Sequence, residues 1–233
     1  PLVVIADNSQ GAHDQLRALQ FFAGDKNTQI RLFSDWETLP YDHFSAHEDL
    51  ISERMETLDH LSKMRHGIVV TTIATIMHRL SPRQHLQSQT FLLSLQDKLD
   101  MTKLRQQLVL SGYRNTQQVM THGEFSVRGS IVDLFPMGAQ TPFRIELFDD
   151  EIESIRCFDP ETQRSIKKID SIAILPAHEF PLTDEGIETF RTKWRAEFPG
   201  NPMDCSIYQA ITQGEAPQGI EYYLPLFFDH LES

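Results

Sequence analysis

Three groups of side chains in this 233-residue chain are of types that do chemistry. The first is Asp149-Asp150-Glu151, with Glu146 and Glu153 close by, a carboxylate run of the kind that can hold a divalent cation or share an acid/base task. Neighbours on a strand point to opposite faces and Asp favours turns, so a solvated acidic turn accounts for the run more simply. The second is Ser9, His13 and Asp14, which fall at the start of an apparent helix. Nucleophilic catalysis needs a spatial order of Ser, His and Asp that such local spacing does not supply. The third is Arg128, Arg144, Glu146 and Phe148. Phe143, Ile145 and Leu147 alternate with Arg144, Glu146 and Phe148, so one strand face is core and the other carries a cation, a carboxylate and a large aromatic. That composition is typical of a protein-binding hot spot; the alternative is an ordinary antiparallel sheet with scattered surface charge.

The elements that must hold this third group read as antiparallel strands. Ile152 to Asp159 alternates like Phe143 to Phe148, and Asp149-Asp150 separates the two as a tight turn, which predicts a hairpin. Phe125 to Phe135 reads as one preceding strand, with Gly129 inside it marking a bulge or a close backbone approach. Upstream the rhythm is α/β. A buried strand Leu2–Ala6, a helix Ser9–Ala23 and a strand Gln29–Phe33 form a βαβ unit. A helix from about His47 to Met64, a strand Ile68–Thr72 and a short helix Ile73–Leu80 follow, with a boundary in the polar stretch Pro82–Gln89. A strand Thr90–Leu95 and a helix Met101–Leu110 then open an α+β region that closes with the strand Ser171–Leu175 before Pro176. The rest is helical, Thr183 capping Asp184–Glu197 and Pro199-Gly200 ending it.

Composition narrows the function classes. The net charge of −12 argues against a dedicated nucleic-acid surface. Residues 1–89 carry 8 basic and 11 acidic groups, residues 90–176 carry 10 and 12, and residues 177–233 carry 3 and 10. The middle third, least acidic relative to its basic content, is where an arginine-based face is expected. No GxxxxGK[ST] phosphate loop occurs, and the ten histidines show no HExxH spacing. Cys157 and Cys205 lie in no CxxC or zinc-ligand pattern, which fits a reduced compartment. The apolar runs are too short to span a bilayer, so no membrane association is expected. The first residues run straight into a strand without a charged leader, as in a chain cut from a longer protein. Trp36, Tyr41 and Phe44 form an aromatic loop among Asp35, Glu37 and Asp42. Base stacking is conceivable there, but the acids would repel phosphate, which favours packing.

The segments VRGSIVDLFP (127–136), FRIELFDDEIESIRCFD (143–159) and TQR (162–164) resemble the small second domain shared by the UvrB and transcription-repair coupling factor (Mfd) families. DWETLPYDHFSAHEDLISERMETL (35–58), ILPAHEFP (174–181) and GIEYYLPLFF (219–228) resemble the coupling-factor family specifically, so nearly the whole chain looks like its N-terminal UvrB-homology module. The resemblance implies an α/β fold: a degenerate helicase-like domain, split between residues 1–89 and 177–233, with an α+β module at 90–176 inserted as a mobile unit. It implies no ATPase and no cofactor in this chain, ATP and Mg belonging to a motor elsewhere in the parent translocase. It further implies that UvrA binds at Arg128, Arg144, Phe148 and Glu146, both guanidinium forks pairing with partner carboxylates. On that view Arg144→Ala abolishes binding and leaves the fold intact. RNA polymerase and DNA would be met by other regions, a C-terminal region would shield the face, and the setting would be the bacterial cytoplasm. The alternative is a UvrB-like DNA-handling helicase fragment with direct nucleotide contacts. Only a short acidic segment stands where UvrB proteins carry their DNA-inserting hairpin, which counts against it.

Overall fold

A computed structural model describes residues 1–24, 28–40 and 42–231. The chain opens with β1 (Leu2–Ala6), α1 (Ser9–Ala23), β2 (Ile30–Phe33), α2 (Glu48–Lys63) and β3 (Ile68–Thr72). These strands form a parallel sheet in the order β1-β3-β2, with β3 central. Asn8 caps α1 by accepting from the Gly11 amide, and Glu48 and Asp49 place negative charge at the first turn of α2, where the helix dipole favours it. The expected burial of β1 is corrected. It is an edge strand, and although Val4 and Ala6 pack with Leu16 and Leu19 of α1, Leu2, Val3 and Ile5 remain 58%, 50% and 51% exposed. Helix α3 is shorter than expected (Ile73–Ile76), and the polar stretch taken as a boundary folds as α4 (Arg83–Gln89), which buries Leu86.

The middle region contains β4 (Phe91–Ser94), α5 (Met101–Leu110), β5 (Arg114–Asn115), β6 (Glu124–Arg128), β7 (Ile131–Leu134), β8 (Phe143–Phe148), β9 (Glu151–Phe158), β10 (Ser165–Ile169) and β11 (Ser171–Ile174). Six of these strands make one sheet in the order β10-β9-β8-β7-β6-β5, while β11 pairs with β4. The predicted β8–β9 hairpin is present, its turn made by Asp149 at φ +57° followed by Asp150. The single strand predicted from Phe125 to Phe135 is two. Gly129 adopts φ +61°, Arg128 pairs with Ile131, and the glycine that suggested a bulge instead sits first in a two-residue hairpin turn. Strand β10 had no sequence signal, because its residues Ser165–Ile169 show no apolar alternation and stay mostly exposed at the sheet edge.

One face of the large sheet is core. Phe125, Val132, Leu134, Ile145, Leu147, Ile152 and Ile155 pack with Leu104 and Leu108 of α5 and with Leu93, Ile172 and Ile174 of the small sheet. The last region holds α6 (Asp184–Glu197), α7 (Ser206–Thr212) and 3-10 turns at Pro202–Asp204 and Ile220–Phe227 around Phe180, Phe190, Trp194 and Tyr208. It meets the first region through a buried ion pair. The fully buried Arg54 of α2 donates from Nε to Glu179 at 2.7 Å and from Nη1 to the Ser34 carbonyl at 2.6 Å. Its guanidinium lies over Phe33 and Trp36, and Trp36 donates from Nε1 to Glu179 and stacks on His78. Trp36 therefore packs rather than projecting for base stacking, Phe44 is 54% exposed, and Tyr41 lies outside the described residues.

Candidate docking face

The strand register decides which side chains share a surface. Across the sheet, Ser126, Asp133, Arg144 and Arg156 stand opposite one another, and Arg128, Ile131, Glu146 and Ser154 form the next row. Paired residues share a face and i, i+2 residues keep it, so Arg128, Arg144, Glu146 and Phe148 all project from the side opposite the core. Phe148 lies two residues beyond Glu146 on β8, and Arg128 lies two strands away. At about 3.3 Å per residue and about 4.8 Å per strand, Arg128 and Phe148 stand roughly 12 Å apart along the backbone surface.

The four residues differ in what they offer. Phe148 is 75% exposed, a large ring on the solvent side of a hairpin end. The Arg128 side chain is 54% exposed and donates one bond, Nη2 to Asp133 Oδ2 at 2.5 Å. The Arg144 side chain is only 18% exposed. It donates from Nε to Asp133 Oδ1 at 2.7 Å, from Nη2 to Oδ2 at 2.9 Å and from Nη1 to the Gln163 carbonyl at 3.3 Å. It also lies over the buried Phe158 ring, 4.9 Å from its centroid, and its bonding to Asp133 holds the guanidinium above its ordinary pKa. Glu146 accepts from the Ser154 hydroxyl at 2.7 Å and lies 3.4 Å from Arg156 Nη2.

The expectation of two open forks is therefore corrected. The edge of Arg144 that could grip a partner carboxylate in bidentate fashion is already occupied by Asp133, and the loop between β9 and β10 closes over it through Gln163. Replacing Arg144 is therefore expected to cost stability, because it removes two of the bonds that Asp133 accepts. Arg128 keeps Nε, both Nη1 hydrogens and one Nη2 hydrogen uncommitted to Asp133. The residue that sequence reasoning missed is Asp133 itself, buried at 1% exposure. Its signal was present: a carboxylate in IVDL, flanked by strand residues, stands at a position where an unpaired charge would be costly, so it calls for cationic partners nearby.

The other candidates reduce to local structure. Asp150 accepts from Lys98 at 3.1 Å beside the Asp149 turn, and Glu151 pairs with Phe148 in the ladder. Ser9, His13 and Asp14 belong to the first turns of α1, where the His13 ring bonds the Ser9 carbonyl. Among the described residues no group of three His, Cys, Asp or Glu is arranged to hold a metal ion, and no helix is long and apolar enough to cross a membrane.

Residues 91–180, which include the whole six-stranded sheet, match the UvrB interaction domain. Over 97% of its length the chain is 47% identical to a transcription-repair-coupling factor of Haemophilus influenzae, covering 20% of that protein. It is 42% identical to the transcription-repair-coupling factor of Escherichia coli over 98% of its length and 28% identical to that of Bacillus subtilis over 98%, again covering 20% of each. The chain thus spans about one fifth of the length of the curated relatives it matches.

Proposed function

This chain belongs to the transcription-repair-coupling factor family, and we propose that it is a non-catalytic adaptor module that recruits UvrA, the damage-recognition ATPase of nucleotide excision repair, to stalled RNA polymerase. The observation that carries this reading is the joint exposure of Phe148 and Arg128 on the solvent face of a sheet lying within the UvrB interaction domain. Phe148 fills an apolar notch on UvrA and Arg128 meets a carboxylate beside it. A buried charged partner of this kind is worth about 2–5 kcal/mol when truncated. In the same reading, ATP-driven translocation and the contacts to DNA and RNA polymerase belong to the remaining four fifths of the parent protein. That remainder also shields the docking face until it is needed, and the setting is the bacterial cytoplasm. Residues 1–89 and 177–233 act as one split support for the inserted module. The Arg54–Glu179 pair, the Trp36 contacts and the hydrogen bond from the Tyr222 hydroxyl to the Thr38 carbonyl support that arrangement.

The experiment is retention of the chain on immobilised UvrA, run beside an ATPase assay and a DNA gel shift. Retention without ATP turnover or tight DNA binding is the expected result. Robust turnover or tight DNA binding would favour a DNA-handling fragment instead.

A further inference from the structure

Asp133 is 1% exposed and accepts three hydrogen bonds from two arginines, two from Arg144 and one from Arg128. We propose that Asp133 is the positioning residue of the docking face, which fixes Arg144 as a spacer, aims the open side of Arg128 outward, and so selects a partner that supplies one carboxylate next to an apolar pocket rather than two. This inference rests on the reading that the face binds UvrA, and it adds the chemistry of the partner surface.

Charge and donor counts both single out Arg128 as the group left for a partner. Two guanidiniums and the carboxylate they share leave this three-residue cluster with a net charge of +1, which a single partner carboxylate neutralises. Of the two cations, Arg144 is held on three sides, by Asp133, by the Gln163 carbonyl and by the Phe158 ring beneath it. Arg128 has a single bond to Asp133 and a half-exposed side chain. Fixing a long flexible side chain before the encounter removes part of the entropy that binding would otherwise have to offset. Glu146 on the same face is already engaged by Ser154 and Arg156, so it does not take the open side of Arg128 in place of an incoming group. Phe148, on the same face, supplies the apolar neighbour.

The test is a double-mutant cycle on binding to purified UvrA, with D133N, R128A and the double variant, each checked for cooperative thermal unfolding. Raw charge predicts that D133N, which makes the face more positive, binds an acidic partner more tightly. Positioning predicts the opposite, a loss of about tenfold. It also predicts that the double variant is no more than about threefold weaker than R128A alone, since the two residues act as a unit. Unchanged or tighter binding by D133N, or losses that multiply in the double variant, overturns the inference while leaving the UvrA reading in place. Failure of the wild-type chain to bind UvrA overturns both. Should D133N not fold, side-chain 15N spectra of the wild-type chain decide the matter. The Arg128 guanidinium signals are expected to shift on UvrA addition while those of Arg144 keep their positions, and a dominant shift at Arg144 contradicts the proposal.

Discussion

Arg144 shows why a side chain can be assigned to the correct face and still be given the wrong part. Alternation places it outward, and the structure agrees, but its donors turn sideways to a buried carboxylate on the neighbouring strand that periodicity cannot reveal. The consequence is a stability cost that an exposed anchor would not carry. Arg144→Ala leaves Asp133 with the Arg128 bond alone, and we expect a loss of about 1–3 kcal/mol in urea unfolding. An unfolding midpoint identical to wild type would show that the arginine is free after all. Gly112 is a second position governed by its surroundings. It sits at φ +88°, and a Cβ there would stand 2.4 Å from the His178 ring. Gly112→Ala should therefore cost more than about 1 kcal/mol, read in the same unfolding experiment.

The long helices and the hairpin between β8 and β9 were legible because their signals are local: caps at Thr183, helical spacing in α1 and α2, and alternation through Ile145 and Ile155. What was not legible depends on partners distant in sequence. The exposure of Val3 and Ile5 shows that the side of β1 away from α1 stays uncovered, whereas β2, equally at a sheet edge, packs against α2, and β10 has no apolar pattern of its own. The junction of α5 with the segment after β11 adds a pH dependence. His178, stacked on Phe180 beside Gly112, is held down to about pKa 4, chiefly by burial and secondarily by Arg114, and burial holds His85 down to about 4 as well. The unfolded chain takes up these protons near pH 6.5, well before the folded one does. The stability these two histidines contribute is therefore complete above about pH 6.5 and is lost as the pH drops toward 4. Urea midpoints should decline across that window, and the slope between pH 6.5 and 5 should be smaller in H178Q. An equal slope in both proteins would assign the effect elsewhere.

Over the whole chain, the sheet that carries the proposed docking face shares one hydrophobic core with the first region, through Phe33, Met55, Leu58, Val69 and Leu86. Polar contacts tie α2 to the sheet-bearing region: Arg114 to Glu48 at 2.6 Å, His122 to Asp49 at 2.8 Å and the Gly138 amide to Ser52 at 2.8 Å. The first and last regions share the buried Arg54–Glu179 pair. Glu179→Ala strands a fully buried guanidinium, and we expect about 3–5 kcal/mol of destabilisation, read as a lowered thermal midpoint. A change within error would mean that water or a shifted carbonyl replaces the carboxylate. The Arg54 position could not be anticipated from ISERMETL, where an arginine on an acidic helix reads as a surface ion pair until Glu179, 125 residues away, is seen beneath it.

Calorimetric titration of UvrA with the wild-type chain, R128A and F148A measures directly whether the exposed ring and the open guanidinium bind a partner together. We expect saturable binding by the wild type, a loss of at least about tenfold in each variant, and thermal midpoints within error of wild type for F148A, whose side chain touches solvent rather than core. Wild-type affinity in both variants would contradict the claim that this face is the docking site.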